Sequence, residues 1–135
     1  MKEQQDSIEL EDAQVHGGII ESLTEEIKKS ISEKAKALKE KHKVPFIYVY
    51  VSPRHGDMKN PLIAFFKPPT TLSEMSKFYY DAQSDPIVGN LKLARKLFLD
   101  GDKELVDNEF EYMHSGLMGF VPNLLPQAAG EFKTF

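Results

Sequence analysis

Apolar residues first recur along the chain with a helical period. Ile20, Leu23, Ile27, Ile31 and Leu38 step by three or four, with Ala35 beside them and Lys34 interrupting the stripe. This predicts an amphipathic helix over residues 19–43. Ser22 and Glu25 stand at capping-box spacing, and Glu25 and Lys29 form an i, i+4 pair. Lysines crowd the last two turns, as suits the negative end of a helix dipole, and Pro45 closes the helix. The stripe reads as the packed face of a solvated helix or as a coiled-coil seam for self-association. Its break at Lys34 favours the first reading.

The period then changes to that of a strand. Residues 44–52, V-P-F-I-Y-V-Y-V-S, put Tyr48 and Tyr50 on one face and Ile47, Val49 and Val51 on the other. A strand apolar on both faces needs cover on both sides. Residues 53–60 carry Pro53, Gly56-Asp57 and Asn60 and read as a turn, and 61–67 read as a second strand. So short a connection predicts an antiparallel hairpin. A lone hairpin is marginal, so helix packing or a homo-oligomer must support it.

Three helices follow by their caps. Thr71 and Glu74 frame a capping box that opens a helix to about Gln83, with Leu72, Met75, Phe78, Tyr79 and Ala82 as its apolar positions. Tyr79 and the adjacent Tyr80 cannot both point inwards. Asp85-Pro86 starts a second helix to about Leu99, burying Ile87, Leu91, Ala94 and Phe98 and flanked by Val88 and Leu97. Asp100-Gly101-Asp102 stops it. A third runs from Lys103 or an Asp107 cap to Gly119, with Phe110, Met113, Leu117 and Phe120 on one face. The expected fold is α+β: an antiparallel hairpin of two or three strands, packed with a long N-terminal helix and three C-terminal helices.

The ends differ from this middle. Residues 1–18 carry five acids against Lys2 and read as an acidic, flexible arm, in which Ile8, Leu10 and Val15 could dock as an edge strand. Residues 19–120 read as the single domain. Residues 121–135 read as a flexible tail that keeps Val121, Leu124, Leu125, Phe132 and Phe135.

Composition narrows the function classes. The chain has 135 residues, a formal charge of −4 and no cysteine. Weak acidity disfavours non-specific nucleic-acid binding. Without thiols there are no disulfides, thiolate nucleophiles or Cys-ligated metals. No apolar run approaches the ~20 residues that span a bilayer, so no membrane partner is expected.

Candidate chemistry is sparse. Arg54-His55-Gly56 after a strand resembles the phosphohistidine motif of histidine phosphatases, and His114-Ser115-Gly116 could imitate the second histidine of such a site. That family needs a doubly wound sheet, and Arg95 is the only other arginine to line a phosphate pocket, so a polar hairpin tip is the simpler reading. The histidines lack metal-ligand spacing. Asp100 and Asp102 lack the oxygen ligands of a calcium loop and read as a helix stop and cap. The expectation is therefore no enzyme, no cofactor and no metal.

Several short motifs occur in order between Ile63 and Val121: A-F-F-K-P-P, T-L-S-E-M-S-K, Q-S-D-P-I and L-F-L-D-G-D-K-E-L. This order resembles small phage proteins of the tail assembly chaperone-like group. The matching residues are Lys67, Pro68, Leu72, Ser73, Asp85, Pro86, Gly101, Asp102, Glu104 and Leu105. The resemblance implies a non-enzymatic role in the bacterial host's cytoplasm: shielding the apolar helical surface of another phage protein, such as a tape measure protein. The alternative is an oligomeric structural or adaptor protein kept in the virion. The candidate contact residues are Ile20, Leu23, Ile27 and Ile31 of the helix stripe and Leu124, Leu125, Phe132 and Phe135 of the tail. The edge of the hairpin is a further candidate.

Overall fold

The computed structural model describes residues 19–54, 57–126, 130–131 and 133–135. The acidic arm, His55 of the phosphohistidine-like triplet and Phe132 lie outside the described residues. After a 3-10 turn at Ile20–Ser22 comes helix α1, Glu25–His42. Strands β1, Tyr48–Arg54, and β2, Asp57–Phe66, follow. Helices α2, Leu72–Ser84, and α3, Pro86–Leu97, lead into strand β3, Phe98–Gly101. Three short helices, α4 (Glu104–Asp107), α5 (Glu109–His114) and α6 (Leu117–Phe120), and a 3-10 turn at Val121–Leu124 complete the order. The fold is α+β, with one antiparallel sheet of order β1-β2-β3.

Caps set most of the helix limits. Thr24, rather than Ser22, caps α1 by accepting from the Ile27 N–H, and Lys43 ends the helix in the left-handed region (φ 53°) before Pro45 is reached. Thr71 and Asp85 cap α2 and α3 as their sequence signatures predict. The expected third C-terminal helix is instead three pieces. Asn108 starts a new cap by accepting from Glu111, and Gly116 at φ 90° turns the chain before Leu117.

The sheet differs from expectation in two places. The hairpin is longer, since Arg54 pairs with Asp57 and only 55–56 connect them. Its register shifts between Ser52 and Arg54, where Pro53 has no N–H to give the ladder. The third strand is Phe98–Gly101, which the helical count assigned to a helix end and its stop. Non-local bonds hold it. The Asp102 N–H donates to the Ile63 carbonyl at 2.7 Å, and the Ile63 N–H donates to Asp102 Oδ2 at 2.8 Å. Gly101 sits at φ 110°, and a Cβ there would run into the Ile63 carbonyl.

Alternation along the strands sends side chains to two faces. Tyr50, Leu62, Ala64 and Phe66 join the main core with buried residues of α2 to α6. Val121 and Leu124 are buried in that core too, so the expected tail from residue 121 begins inside the domain. Phe65 and Val51 are buried on the opposite face, which α1 covers: Ile27 and Ile31 line one cleft with Ile63 and Phe65, and Lys34 Nζ lies 3.0 Å from Asp100 Oδ2. The sheet is thus covered on both sides, as the two-faced strand requires.

Candidate interaction surfaces

The α1 stripe is turned inwards. Leu23 and Leu38 are buried, Ile20 is half-buried, and Ile27 and Ile31 are half-buried along a cleft of about 330 Å³ between helix and sheet. The tail residues lie elsewhere. Leu124 is buried and Leu125 half-buried on the other side of the sheet, while Phe135 is fully exposed with the Lys133 ammonium 5.4 Å from its ring centre. The structure therefore brings Ile27 and Ile31 together but does not join the stripe and the tail into one surface. Leu23 is a core residue, and Leu124, also buried, shows only its edge in a groove beside Tyr48.

Among the described residues, five of the large apolar side chains left exposed lie on the α2–α3 hairpin, and Phe46, Phe110, Met113 and Phe135 are exposed elsewhere. Tyr79 and Tyr80 are both exposed, as are Ile87 and Val88 in the first turn of α3 and Leu72 in the first turn of α2. Counting apolar residues by helical period placed Leu72, Tyr79 and Ile87 in the core, with Val88 beside them. Of the expected positions Phe78 and Ala94 are buried, and the hairpin packs through them together with Gly89, Leu93 and Leu97. The two helices touch where a Cβ on Gly89 would stand 2.8 Å from the Ala82 backbone. That close approach fixes which faces turn outwards. The usable sequence signals were Gly89 and the adjacent tyrosines.

A second apolar groove, of about 330 Å³, runs past Pro45, Phe46, Tyr48, Pro68, Pro69 and Leu124. Phe46 meets Tyr48 edge-on, with ring centres 5.2 Å apart.

The His114 region forms a cleft of about 390 Å³ with Ile19, Ser52, Pro53, Phe110 and Glu111. The hydroxyls of Tyr50 and Ser52 both donate to the Ser115 carbonyl, at 2.7 and 3.0 Å. Burial pushes the Tyr50 phenol up to about 12, which keeps it a donor. Ser115-Gly116 is therefore a turn wrapped over the sheet's hydroxyls. His114 stacks on Phe110 with ring centres 4.2 Å apart, and among the described residues no hydrogen bond joins it to a serine hydroxyl. Arg95 donates to the Val106 carbonyl at 2.8 Å and lies near Asp107, so it fastens α3 to α4. The all-antiparallel sheet also lacks the doubly wound frame of the phosphatase motif.

The acidic candidates for a metal have structural partners. Lys34 holds the Asp100 carboxyl below its usual range, helped by the Gly101 N–H, and Asp102 closes the β2–β3 ladder. No group of three or more His, Asp or Glu suited to a metal occurs among the described residues. Nor is any helix there long and apolar enough to cross a membrane. No family model, curated protein or solved structure matches the chain.

Proposed function

We propose that the chain is a non-enzymatic phage interaction protein of the tail assembly chaperone type, acting in the host cytoplasm. Its client is another phage protein with a long apolar helical surface, such as a tape measure protein. The observation that carries this reading is the set of large side chains left in solvent on the α2–α3 hairpin: Tyr79, Tyr80, Ile87 and Val88. Single exposed apolar residues are ordinary, but two tyrosines and two aliphatic residues exposed on one helical hairpin suit a helix-binding surface. The client's apolar stripe lies across the hairpin, and the phenol groups stay at the wet rim.

The contact residues expected from the sequence shift accordingly. The α1 stripe serves the sheet, and the client surface moves to α2–α3. Quantitative mass spectrometry of assembly intermediates and finished particles tests the role. A chaperone is enriched in complexes with unassembled client and absent from mature particles. Stoichiometric retention in mature particles would instead make the protein a structural or adaptor component.

A further inference from the structure

Helix α1 and the sheet face beneath it meet as two separable parts. Of the 18 residues of α1 only Leu38 is buried, and among the described residues none of α1 enters the main core. Ile27 and Ile31 border a cleft of about 330 Å³ against Ile63 and Phe65 instead of closing on them. The ion pair that ties α1 to β3, Lys34 with Asp100, joins two exposed side chains and holds weakly. At the C-terminal end Lys43 leaves the helix in the left-handed region, and a short non-helical link leads to β1. Lifting α1 therefore takes no residue out of the Tyr50–Phe66 side.

The face under α1 is built for a helix. Val49 pairs with Phe65, Val51 with Ile63 and Phe65 with Asp100, so four apolar side chains and one carboxylate share one side. Val51 and Phe65 are buried there, and Val49 and Ile63 half-buried. Helix α1 shows the pattern that this face accepts. Apolar residues stand at i, i+4 and i+11 (Ile27, Ile31 and Leu38), and a cation stands at i+7 (Lys34). The cation that interrupts the stripe is the complement of Asp100, 3.0 Å away.

We infer that this face is a helix-binding site occupied in cis by α1, and that an amphipathic helix of a partner protein, with the same apolar spacing and the same cation, displaces α1 from it. The claim is independent of the α2–α3 surface. Tethered beside its site, α1 competes at a high effective concentration. A free helix therefore meets only the fraction of chains in which α1 is open. It gains over α1 by filling the cleft, with a larger apolar side chain where Ile27 or Ile31 stops short.

The α1 sequence itself is the probe. In the full chain, Ile27→Asp with Ile31→Asp expels α1 and opens the face. A fluorescent peptide of residues 19–43 should bind that variant at least about tenfold more tightly than it binds the native chain, and should shift the amides of Val51, Ile63 and Phe65. Equal affinity for the two chains, no binding to either, or shifts centred on Tyr79–Val88 overturns the inference. The same peptide with Lys34→Glu should bind at least about threefold more weakly at low salt, and equal binding contradicts the part given to Asp100. With Ile27→Phe it should bind the native chain at least about threefold more tightly, and weaker binding contradicts the filling of the cleft. A native chain that forms a dimer with exchanged α1 helices would seat a second copy on the face and also overturns the inference. Amide exchange of the native chain provides the test that needs no variant. The amides from Ile31 to Leu38 should exchange at least about a hundredfold faster than those from Leu93 to Leu97. Equal protection would mean that α1 opens only with the whole fold, which contradicts the inference.

Discussion

One sheet carries two unlike covers. On the Tyr50–Phe66 face, helices α2 to α6 bury a continuous core in which Ala64, Ala94, Leu97, Leu105 and Val121 have no exposure. On the Val51–Phe65 face a single helix, with Leu38 its one buried residue, stands over a cleft of about 330 Å³. Adjacent residues of the same strands thus meet close packing on one side and partial packing on the other. The first cover decides whether the chain folds, and the second decides how firmly α1 is held.

The sharpest way to break this contrast is truncation on each side. Phe66→Ala opens a cavity in the tight core and should cost about 3–5 kcal/mol. Ile31→Ala removes atoms that already border a cleft and should cost less than about 2 kcal/mol. Denaturant unfolding measures both, and equal losses would show that α1 is as firmly packed as the opposite cover. Gly101→Ala comes next. It forces a side chain into the left-handed region and against the Ile63 carbonyl, so β3 should detach at a cost of about 1–3 kcal/mol. Faster amide exchange at Ile63 and Asp102 would report it.

Two ion pairs of similar length sharpen the same contrast. Lys67–Glu74 at 2.9 Å ties the end of β2 to α2, and the Glu74 side chain is only 11% exposed. Burial alone would raise the Glu74 carboxyl, but the Thr70 N–H, Lys67 and the Thr70 hydroxyl together hold it at about 2, below its ordinary 4.5. A depressed acid stabilises the fold fully above the ordinary value and loses that contribution as pH falls towards the folded value. Thermal melts from pH 5 down to pH 2 should therefore fall more steeply for the native chain than for Glu74→Gln. Parallel curves would contradict the assignment. Lys34–Asp100 at 3.0 Å ties α1 to β3, but its side chains are 47% and 43% exposed. Lys34→Ala should cost less than about 1 kcal/mol by the same denaturant assay, and less still at high salt. A larger loss would make this pair the main fastening of α1.

The legible and illegible parts of the sequence divide by range. Local chemistry was readable: Thr71 and Asp85 cap the helices that their side chains predict, the α1 stripe does face inwards, and β1 is covered on both faces. What depended on distant partners was not. Phe98–Gly101 reads as a helix end because four residues carry too little period to announce a strand, and only Asp102 meeting Ile63 makes it one. Val121 and Leu124 read as tail because Pro122 breaks the helical pattern, yet the core takes both. The candidate surface was hidden for a related reason. Tyr79 and Ile87 lie at apolar spacings, and the tight contact of Gly89 with Ala82 rotates them out to solvent.

That outward surface is the centre of the functional proposal, and one measurement addresses it directly. The chain is co-expressed with the tape measure protein of the same genome, and soluble, co-eluting client is quantified for the native chain and for Tyr80→Ser with Ile87→Ser. Both positions are exposed, so the double variant should melt within a few degrees of the native chain. The account predicts that the native chain keeps the client soluble and that the variant loses most of it. Client that remains soluble and bound to an equally stable double variant would contradict it.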